Sequence, residues 1–157
     1  MRVLTDSNSF KWHIFNNIKY LDEKYKIYII GNDVEIFKKK CPNVSFINVK
    51  IKRKPSLFMD FLALVKLIYL FIKIKPDIVH SIMPKSGLLA AIAGFITRVP
   101  IRIHTFTGQV WATQTGLKKL LYLKLDGLVN SLNTICLADS YSQSIFLKQH
   151  KITYKGN

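Results

Sequence analysis

The sequence lacks the residues that mark several common classes of protein. It has only two cysteines, Cys41 and Cys136, and they form no C-x-x-C pair, so neither a disulfide scaffold nor a cysteine-based metal centre is indicated. The four histidines show no ligand spacing with these cysteines, and we expect no bound metal. A glycine-rich phosphate loop of the G-x-G-x-x-G type is also missing. The sequence therefore predicts no dinucleotide and no other cofactor.

Acidic residues are scarce. The chain has 9 of them against 24 basic residues, which gives a formal net charge of +15. Biased base composition explains such an excess, and so does an anionic partner, namely an anionic membrane face or a phosphorylated ligand. Nucleic acid is not expected, because no recognition motif and no regular series of exposed aromatics accompanies the basic residues.

One long hydrophobic run bears on where the protein works. The chain opens directly on a strand pattern without a basic-then-apolar signal segment, so we expect a cytoplasmic location. Residues Leu57–Ile74 are about long enough to span a bilayer, but Asp60 and Lys66 lie inside the run. A helix that covers a sheet fits better. Basic residues at both ends, Arg53 and Lys73 among them, leave open that this helix contacts the inner face of the cell membrane.

Strand-like and helix-like segments alternate along the chain. The long helices are expected over Leu57–Ile74 and Gly116–Leu132, and the leucines of the second are expected to face the core. Six such alternations predict one α/β domain over residues 1–157, a doubly wound Rossmann-like fold with a mostly parallel sheet. The other expected elements are strands 2–4, 26–30, 44–49 and 134–138, helices 10–21 and 34–39, a helix from about 140 to 150, and an extended segment over 151–157.

A β-α-β unit in the middle of the chain predicts the position of a site. Its strands are Asp77–Ile82 and Pro100–Phe106, and its helix runs from about Lys85 to Arg98. Right-handed crossover places both strands in one parallel sheet, so the loops Ser81–Ser86 and Thr105–Trp111 lie at the same edge. Ligands of open α/β sheets bind at that edge.

Both loops carry polar residues that suit a ligand. The free N–H groups of the helix start, with Lys85, Ser86 and Gly87, form a natural anion site, although proline and serine there also serve helix initiation. The second loop combines hydrogen-bonding groups with a glycine and an aromatic ring, a mixture that suits a sugar. Ser9, in the loop after the first strand, is either a helix cap or a ligand contact. The remaining candidates are His80, Thr105, Thr107, Gly108, Gln109 and Trp111.

The same region carries a resemblance to a known family. The segment KPDIVHSIMPKSGLLAAIAGFITRVPIRIHTFTGQVWAT, together with SFKWHIFNNIKYL upstream and ADSYSQ at Ala138–Gln143, resembles the N-terminal domain of a family 4 glycosyltransferase of GT-B architecture. The similarity is to bacterial enzymes that build O-antigen, capsule and related surface polysaccharides. It implies an acceptor-binding half, whose second domain would hold a nucleotide-sugar donor. Such enzymes retain the anomeric configuration without a metal and often use a lipid-linked acceptor at the membrane.

The sequence also departs from the pattern of that family. Relatives carry an H-x-x-H-like pair in the loop after the fifth strand, and here His104 matches the first position while Thr107 occupies the second. His104 is therefore the one catalytic candidate, and Asp139 and Ser140 are candidates for the cleft between domains. The paired glutamates of the donor half are missing, so we expect the chain to be inactive alone. The alternative is a noncatalytic membrane-associated module that binds an anionic lipid-linked ligand.

Overall fold

The computed structural model describes residues 1–152, apart from the side chain of residue 19. These residues form a single six-stranded sheet in which every pairing is parallel. The strands are β1 Arg2–Asp6, β2 Tyr28–Asn32, β3 Ser45–Asn48, β4 Ile78–Ile82, β5 Ile101–Phe106 and β6 Ile135–Ala138. Their order in the sheet is β3-β2-β1-β4-β5-β6, which confirms the predicted doubly wound α/β class. The last part of the extended segment expected over 151–157 lies outside the described residues.

Helices cover both faces of the sheet, which is why central strands such as β1 are buried at three successive residues. Helices α3 and α5 have the bounds that the hydrophobic pattern predicts. The expected helix over 10–21 is instead two helices, because the backbone leaves helical geometry at Ile14. A short 3₁₀ turn, Val34–Phe37, replaces the helix expected over 34–39. The helices are α1 Ser7–His13, α2 Phe15–Leu21, α3 Leu57–Ile74, α4 Pro84–Ile96, α5 Gly116–Leu132 and α6 Tyr141–Gln149.

The core consists of three clusters of buried apolar side chains. Phe10 of α1, Ile14 between the two helices and Ile18 of α2 pack on one face of the sheet, together with Cys41. Helices α3 and α4 pack on the other face against the strands. The third cluster lies around Trp111 and contains Cys136, so the two cysteines are buried far apart in the fold. This arrangement leaves the carboxyl ends of the strands as the open edge of the domain.

Four of the seven leucines of α5 are exposed, contrary to the expectation that they face the core, although Leu123 packs against the third cluster. Leu117 is 86% exposed and Leu121 is 56% exposed. The helix turns its other side to the sheet, where Asp126 and Val129 are buried. The buried side carries the polar anchor Asp126, whose oxygen accepts a hydrogen bond from a core tryptophan, and this contact fixes the rotation of the helix.

Candidate functional site

The strand order reverses between β1 and β4, and an open cleft lies at that point. From β1 the chain winds outward to β2 and β3, whereas from β4 it winds outward to β5 and β6. Neighbouring connections therefore leave the sheet in opposite directions and open a crevice, the usual ligand position in such folds. We call it the switch-point cleft, and its volume is about 450 Å³. Its lining residues are Ser9, Trp12, His13, Arg53, Met83, Pro84, Thr107, Gly108, Gln109 and Val110.

The loop after β1 supplies one wall. The carboxylate of Asp6 caps α1 by accepting hydrogen bonds from the backbone N and the Oγ of Ser9, both at 3.0 Å. Asp6 is therefore the helix cap, and Ser9 supports it from the cleft wall. One turn further, Trp12 is 71% exposed beside the cleft. An exposed indole at a cleft offers an apolar face on which a sugar ring can stack.

The turn from β4 into α4 forms the floor. Met83 adopts φ 78° and ψ 145°, a conformation that non-glycine residues rarely adopt, and Pro84 begins the helix directly after it. Such backbone strain is concentrated at ligand sites, where the surrounding structure holds it in place. The side chain of Met83 is in turn fixed by Thr107, whose hydroxyl donates to its sulfur at 3.4 Å.

The loop after β5 supplies the opposite wall. Thr107, Gly108 and Gln109 all line the cleft, as the sequence predicted for this edge of the sheet. The amide nitrogen of Gln109 is buried and has no hydrogen-bond acceptor within residues 1–152. An unsatisfied buried donor costs free energy, which a small movement toward a ligand oxygen would recover. Gln109 is thus the cleft residue that most clearly lacks a partner.

Beneath the cleft lies a layer of polar groups, buried or half-buried, that hydrogen-bond to one another. His80 Nε2 is 2.8 Å from Thr105 Oγ1, and Ser81 Oγ is 2.9 Å from His104 Nδ1. The ring of His104 also contacts Gly87 so closely that a Cβ there would stand 2.3 Å from its Cε1. We call these five residues the buried polar layer. They join β4, β5 and α4 below the cleft.

The histidines of this layer are held neutral. Burial, followed by the charge of Arg2, lowers the pKa of His80 to about 3. Burial also lowers the pKa of His104 to about 4. His104, which the sequence predicted as the catalytic candidate, is 1% exposed and does not line the cleft. Its side chain therefore has almost no surface that a reactant could contact. Its observed contacts are structural.

The predicted anion site at the start of α4 is already occupied by contacts within the protein. Lys85 Nζ lies 2.7 Å from Asp60 Oδ1 and donates to the backbone oxygen of Lys54 at 2.6 Å. Ser86 is fully buried, where its hydroxyl donates to the Ile82 carbonyl. Gly87 is buried under the His104 ring. These three residues therefore stabilise the turn and do not line the cleft.

Trp111, expected to stack on a ligand, is wholly buried instead. Its indole N–H donates to Asp126 at 2.8 Å, and its ring stacks on Phe146 with centroids 5.1 Å apart. Burial raises the pKa of Asp126 to about 6, although the hydrogen bond from the indole lowers it. Trp111 is a core residue, and the exposed aromatic of the cleft is Trp12.

The remaining cleft residues and the remaining predicted site residues lie in several parts of the fold. His13 and Arg53 line the cleft, and neither was predicted as a site residue. For His13, the density of polar and aromatic residues directly after β1 was a usable signal. Ser140 caps α6 by accepting a hydrogen bond from the Gln143 backbone N at 3.2 Å. Asp139 and Ser140 are exposed at the end of the edge strand β6 and do not line the cleft. Within residues 1–152, no three His, Cys, Asp or Glu side chains cluster as metal ligands.

Comparison with known proteins identifies the family of the chain. The family model described as glycosyl transferase 4-like matches residues 2–138. The capsular polysaccharide biosynthesis glycosyltransferase CapM of Staphylococcus aureus is 34% identical, and the alignment covers 88% of this chain but 38% of CapM. The chain therefore spans well under half the length of this relative.

Solved structures share the fold at much lower identity. UDP-GlcNAc 2-epimerase from Methanocaldococcus jannaschii aligns with a TM-score of 0.65 over 96% of this chain and 42% of the epimerase, at 14% identity. HepE from Anabaena, solved in complex with UDP, gives a TM-score of 0.63 over 96% of this chain and 40% of HepE, also at 14% identity. Both matches cover less than half of the longer protein.

Proposed function

The chain belongs to the glycosyl transferase 4-like family, and we propose from that premise that it is the acceptor-binding half of a retaining glycosyltransferase. The family model supports a role in glycosyl transfer, and the similarity to CapM favours surface polysaccharide synthesis. The acceptor lies in the switch-point cleft. The donor is a nucleotide sugar, bound by a second domain in the complete enzyme.

The chemistry of the cleft carries the assignment of the acceptor. A sugar needs paired hydrogen-bond donors and acceptors around its hydroxyls and an apolar surface against its ring face. The cleft offers Thr107, Gln109 and Ser9 as polar groups and the exposed ring of Trp12 as an apolar surface. The unpartnered amide of Gln109 is the single observation that most favours a ligand oxygen at this place.

The donor is assigned to another domain because this one lacks a glycine-rich phosphate loop and the paired glutamates expected of the donor half. No glycine-rich loop follows β1, where the chain reads TDSNSF instead. The only glutamates are Glu23 and Glu35, and neither lines the switch-point cleft. The 157-residue chain is therefore inactive alone, because charge that develops on the leaving group would be unstabilised.

The outer face of α3 favours a position at the membrane. Helix α3 buries Leu67 and Phe71 against the sheet, but a second apolar stripe faces outward. Within the described residues no helix is long and apolar enough to cross a bilayer, so α3 would lie on the surface. The same stripe supports the alternative, a noncatalytic module that binds an anionic lipid-linked ligand. The exposed residues are Leu57, Phe58, Phe61, Leu62, Val65, Tyr69 and Ile72.

Binding measurements on the purified chain test the acceptor assignment. We expect octyl glucoside, below its micelle concentration, to shift the backbone amide signals of Thr107, Gly108 and Gln109 in a nitrogen-15 NMR titration. UDP should leave these signals unchanged, because the donor half is another domain. Gln109→Ala should weaken the response to the glycoside, whereas Gln149→Ala, on the distant helix α6, should not. Tight UDP binding in the cleft would reverse the assignment of the two halves.

An activity measurement separates the remaining alternatives. Incubation of the chain alone with UDP-N-acetylglucosamine and octyl glucoside should give no glycosylated product. Product formation by the chain without a partner would contradict the proposal that it is half of the enzyme. If a longer protein that contains this chain also transferred no sugar from any nucleotide sugar, the noncatalytic module would be the better description.

A further inference from the structure

A second cleft adjoins the first and is lined mostly by cations. It has a volume of about 340 Å³ and lies at the carboxyl ends of β1, β2 and β3. We call it the basic cleft. Four of its seven lining residues are basic and one is acidic, a composition that favours an anion. Its lining residues are Asp6, Asn32, Lys50, Ile51, Lys52, Arg53 and Lys54.

The lysines of this cleft are available to a ligand. Lys50, Lys52 and Lys54 are exposed, and none forms an ion pair within residues 1–152. The acidic neighbours of these lysines have other partners. Asp6 pairs with Arg53 at 2.9 Å, and Asp33 accepts from the Asn32 amide. Within the described residues the three lysines therefore line one open space without an ion-pair partner, while Asp6 in the same lining offsets the charge of Arg53.

The backbone that carries these lysines is held in place. Ile51 is 2% exposed and packs in the core between the exposed Lys50 and Lys52. The carbonyl of Lys54 accepts from Lys85, which is itself paired with Asp60 at the start of α3. A loop fixed at both ends loses little conformational freedom when a ligand binds, and this preorganisation strengthens binding.

The two clefts share one residue, which places their ligands next to each other. Arg53 lines both the switch-point cleft and the basic cleft. A sugar in the first and a phosphate group in the second can therefore belong to one molecule. An acceptor sugar linked to phosphate through its anomeric carbon has this geometry, because its charged group is directly bonded to the ring.

We propose that the loop Lys50–Lys54 is a phosphate subsite, which binds the phosphate or diphosphate group of the acceptor while its sugar occupies the switch-point cleft. Lysine ammonium groups bind phosphate as point charges, and Arg53 adds a planar guanidinium at the junction of the clefts. The proposal rests on the acceptor role proposed for this domain. It goes beyond that role because it names the charged part of the substrate and the residues that bind it.

Calorimetric titration with inorganic diphosphate tests the subsite directly. One variant carries Lys50→Gln, Lys52→Gln and Lys54→Gln. The matched control carries Lys38→Gln, Lys39→Gln and Lys40→Gln. Both remove three positive charges from exposed lysines, so general electrostatic attraction falls equally. The control lysines lie between the 3₁₀ turn and β3, where the chain returns to the opposite edge of the sheet.

The subsite predicts that the loop variant weakens diphosphate binding by about tenfold or more, while the control changes it by less than about twofold. Equal weakening by both variants would mean a general charge effect and would overturn the proposal. A second arm uses vesicles of phosphatidylcholine with one-third phosphatidylglycerol. If the loop variant loses only vesicle binding and still binds diphosphate normally, the loop contacts a bilayer surface, and the subsite is wrong.

These outcomes are independent of the transferase assignment. Diphosphate binding is measured without donor, acceptor sugar or product. A failed subsite would leave the NMR response of the switch-point cleft to octyl glucoside intact, whereas a failed acceptor assignment would abolish that response and leave diphosphate binding measurable. Thermal unfolding of both triple variants should match the parent chain, because the replaced side chains are exposed.

Discussion

The two tryptophans of the chain lie in opposite environments. Trp111 is wholly buried, with its N–H bonded to Asp126, whereas Trp12 is 71% exposed beside the switch-point cleft. The same division separates the buried polar layer from the cleft above it. His80 and His104 contact other protein groups, and Thr107 and Gln109 line the open space. Polar or aromatic residues at the ends of strands can thus support a site without touching its ligand.

The largest difference should appear when the two tryptophans are truncated. Trp111→Ala leaves a large cavity and a buried carboxylate without its donor, so we expect it to lower the free energy of unfolding by about 3 to 5 kcal/mol. Trp12→Ala should change it by less than about 0.5 kcal/mol. Urea unfolding of both variants is the measurement. Equal costs would contradict the assignment of Trp111 to the core.

Gly87 tests how tightly the buried polar layer is packed. A Cβ at this position would stand 2.3 Å from the His104 ring, and we expect Gly87→Ala to cost about 1 to 3 kcal/mol. The double variant Gly87→Ala, His104→Ala should recover part of this loss, because the clashing ring is gone. Gly108→Ala is the matched control in the cleft, since nothing lies within 4 Å of its Cβ position. An additive double-variant cycle would show that the ring is not the obstacle.

Acid should destabilise the buried layer. The pKa values of His80 and His104 are lowered from 6.5 to about 3 and about 4. Below pH 6.5 these histidines therefore bind protons in the unfolded chain but not in the folded chain, and the folded state loses stability. Asp126 acts in the opposite direction, because its pKa is raised to about 6 and the folded chain gains a proton as the pH falls. For these three groups together we expect a loss on the order of 2 kcal/mol between pH 7 and pH 5.

Denaturant unfolding at several pH values provides the measurement. His104→Gln should reduce the change in the free energy of unfolding between pH 7 and pH 5, because one of the two histidines that only the unfolded chain protonates is then absent. Stability that rises as the pH falls would contradict the neutral state of the buried histidines.

A small effect on stability, and a clear effect on binding, is expected for Thr107 at the cleft. Thr107→Val removes the hydroxyl that donates to Met83 and should change the free energy of unfolding by less than about 1 kcal/mol. If the hydroxyl also contacts the acceptor, octyl glucoside should bind several-fold more weakly to this variant by NMR titration. Thr113→Val, beyond the cleft lining, is the comparison. Unchanged glycoside binding in both variants would remove Thr107 from the site.

Much of the fold was predictable from local patterns. The bounds of α3 and α5, the parallel pairing of β4 with β5 and the common edge of their loops are all confirmed. Each follows from hydrophobic periodicity or from the handedness of a β-α-β unit, both of which act within a short stretch of chain. The break at Ile14 and the rotation of α5 were not predictable, because contacts with distant residues decide them.

The candidate site was predictable in position but not in membership. Of the ten proposed binding residues, Ser9, Thr107, Gly108 and Gln109 line the cleft. Four others, Lys85, Ser86, Gly87 and Trp111, instead form contacts inside the protein. Arg53 was not among the ten, and it reaches the cleft from the segment between β3 and α3. The residue types indicated the chemistry of a binding site. Which groups each side chain contacts depends on how distant segments of the chain pack together, and no local sequence pattern contains that information.

The sequence by itself determined that alternating strands and helices would form a parallel sheet with polar loops at one edge, because local periodicity specifies which segments are strands, which are helices and which faces are apolar. Only the tertiary structure decided which polar groups face the cleft and which face one another. It placed Trp12 in the open and Trp111 in the core, and it brought the basic loop beside the cleft through Arg53. The reason is physical: burial depends on what packs against a residue, and those partners come from distant parts of the chain.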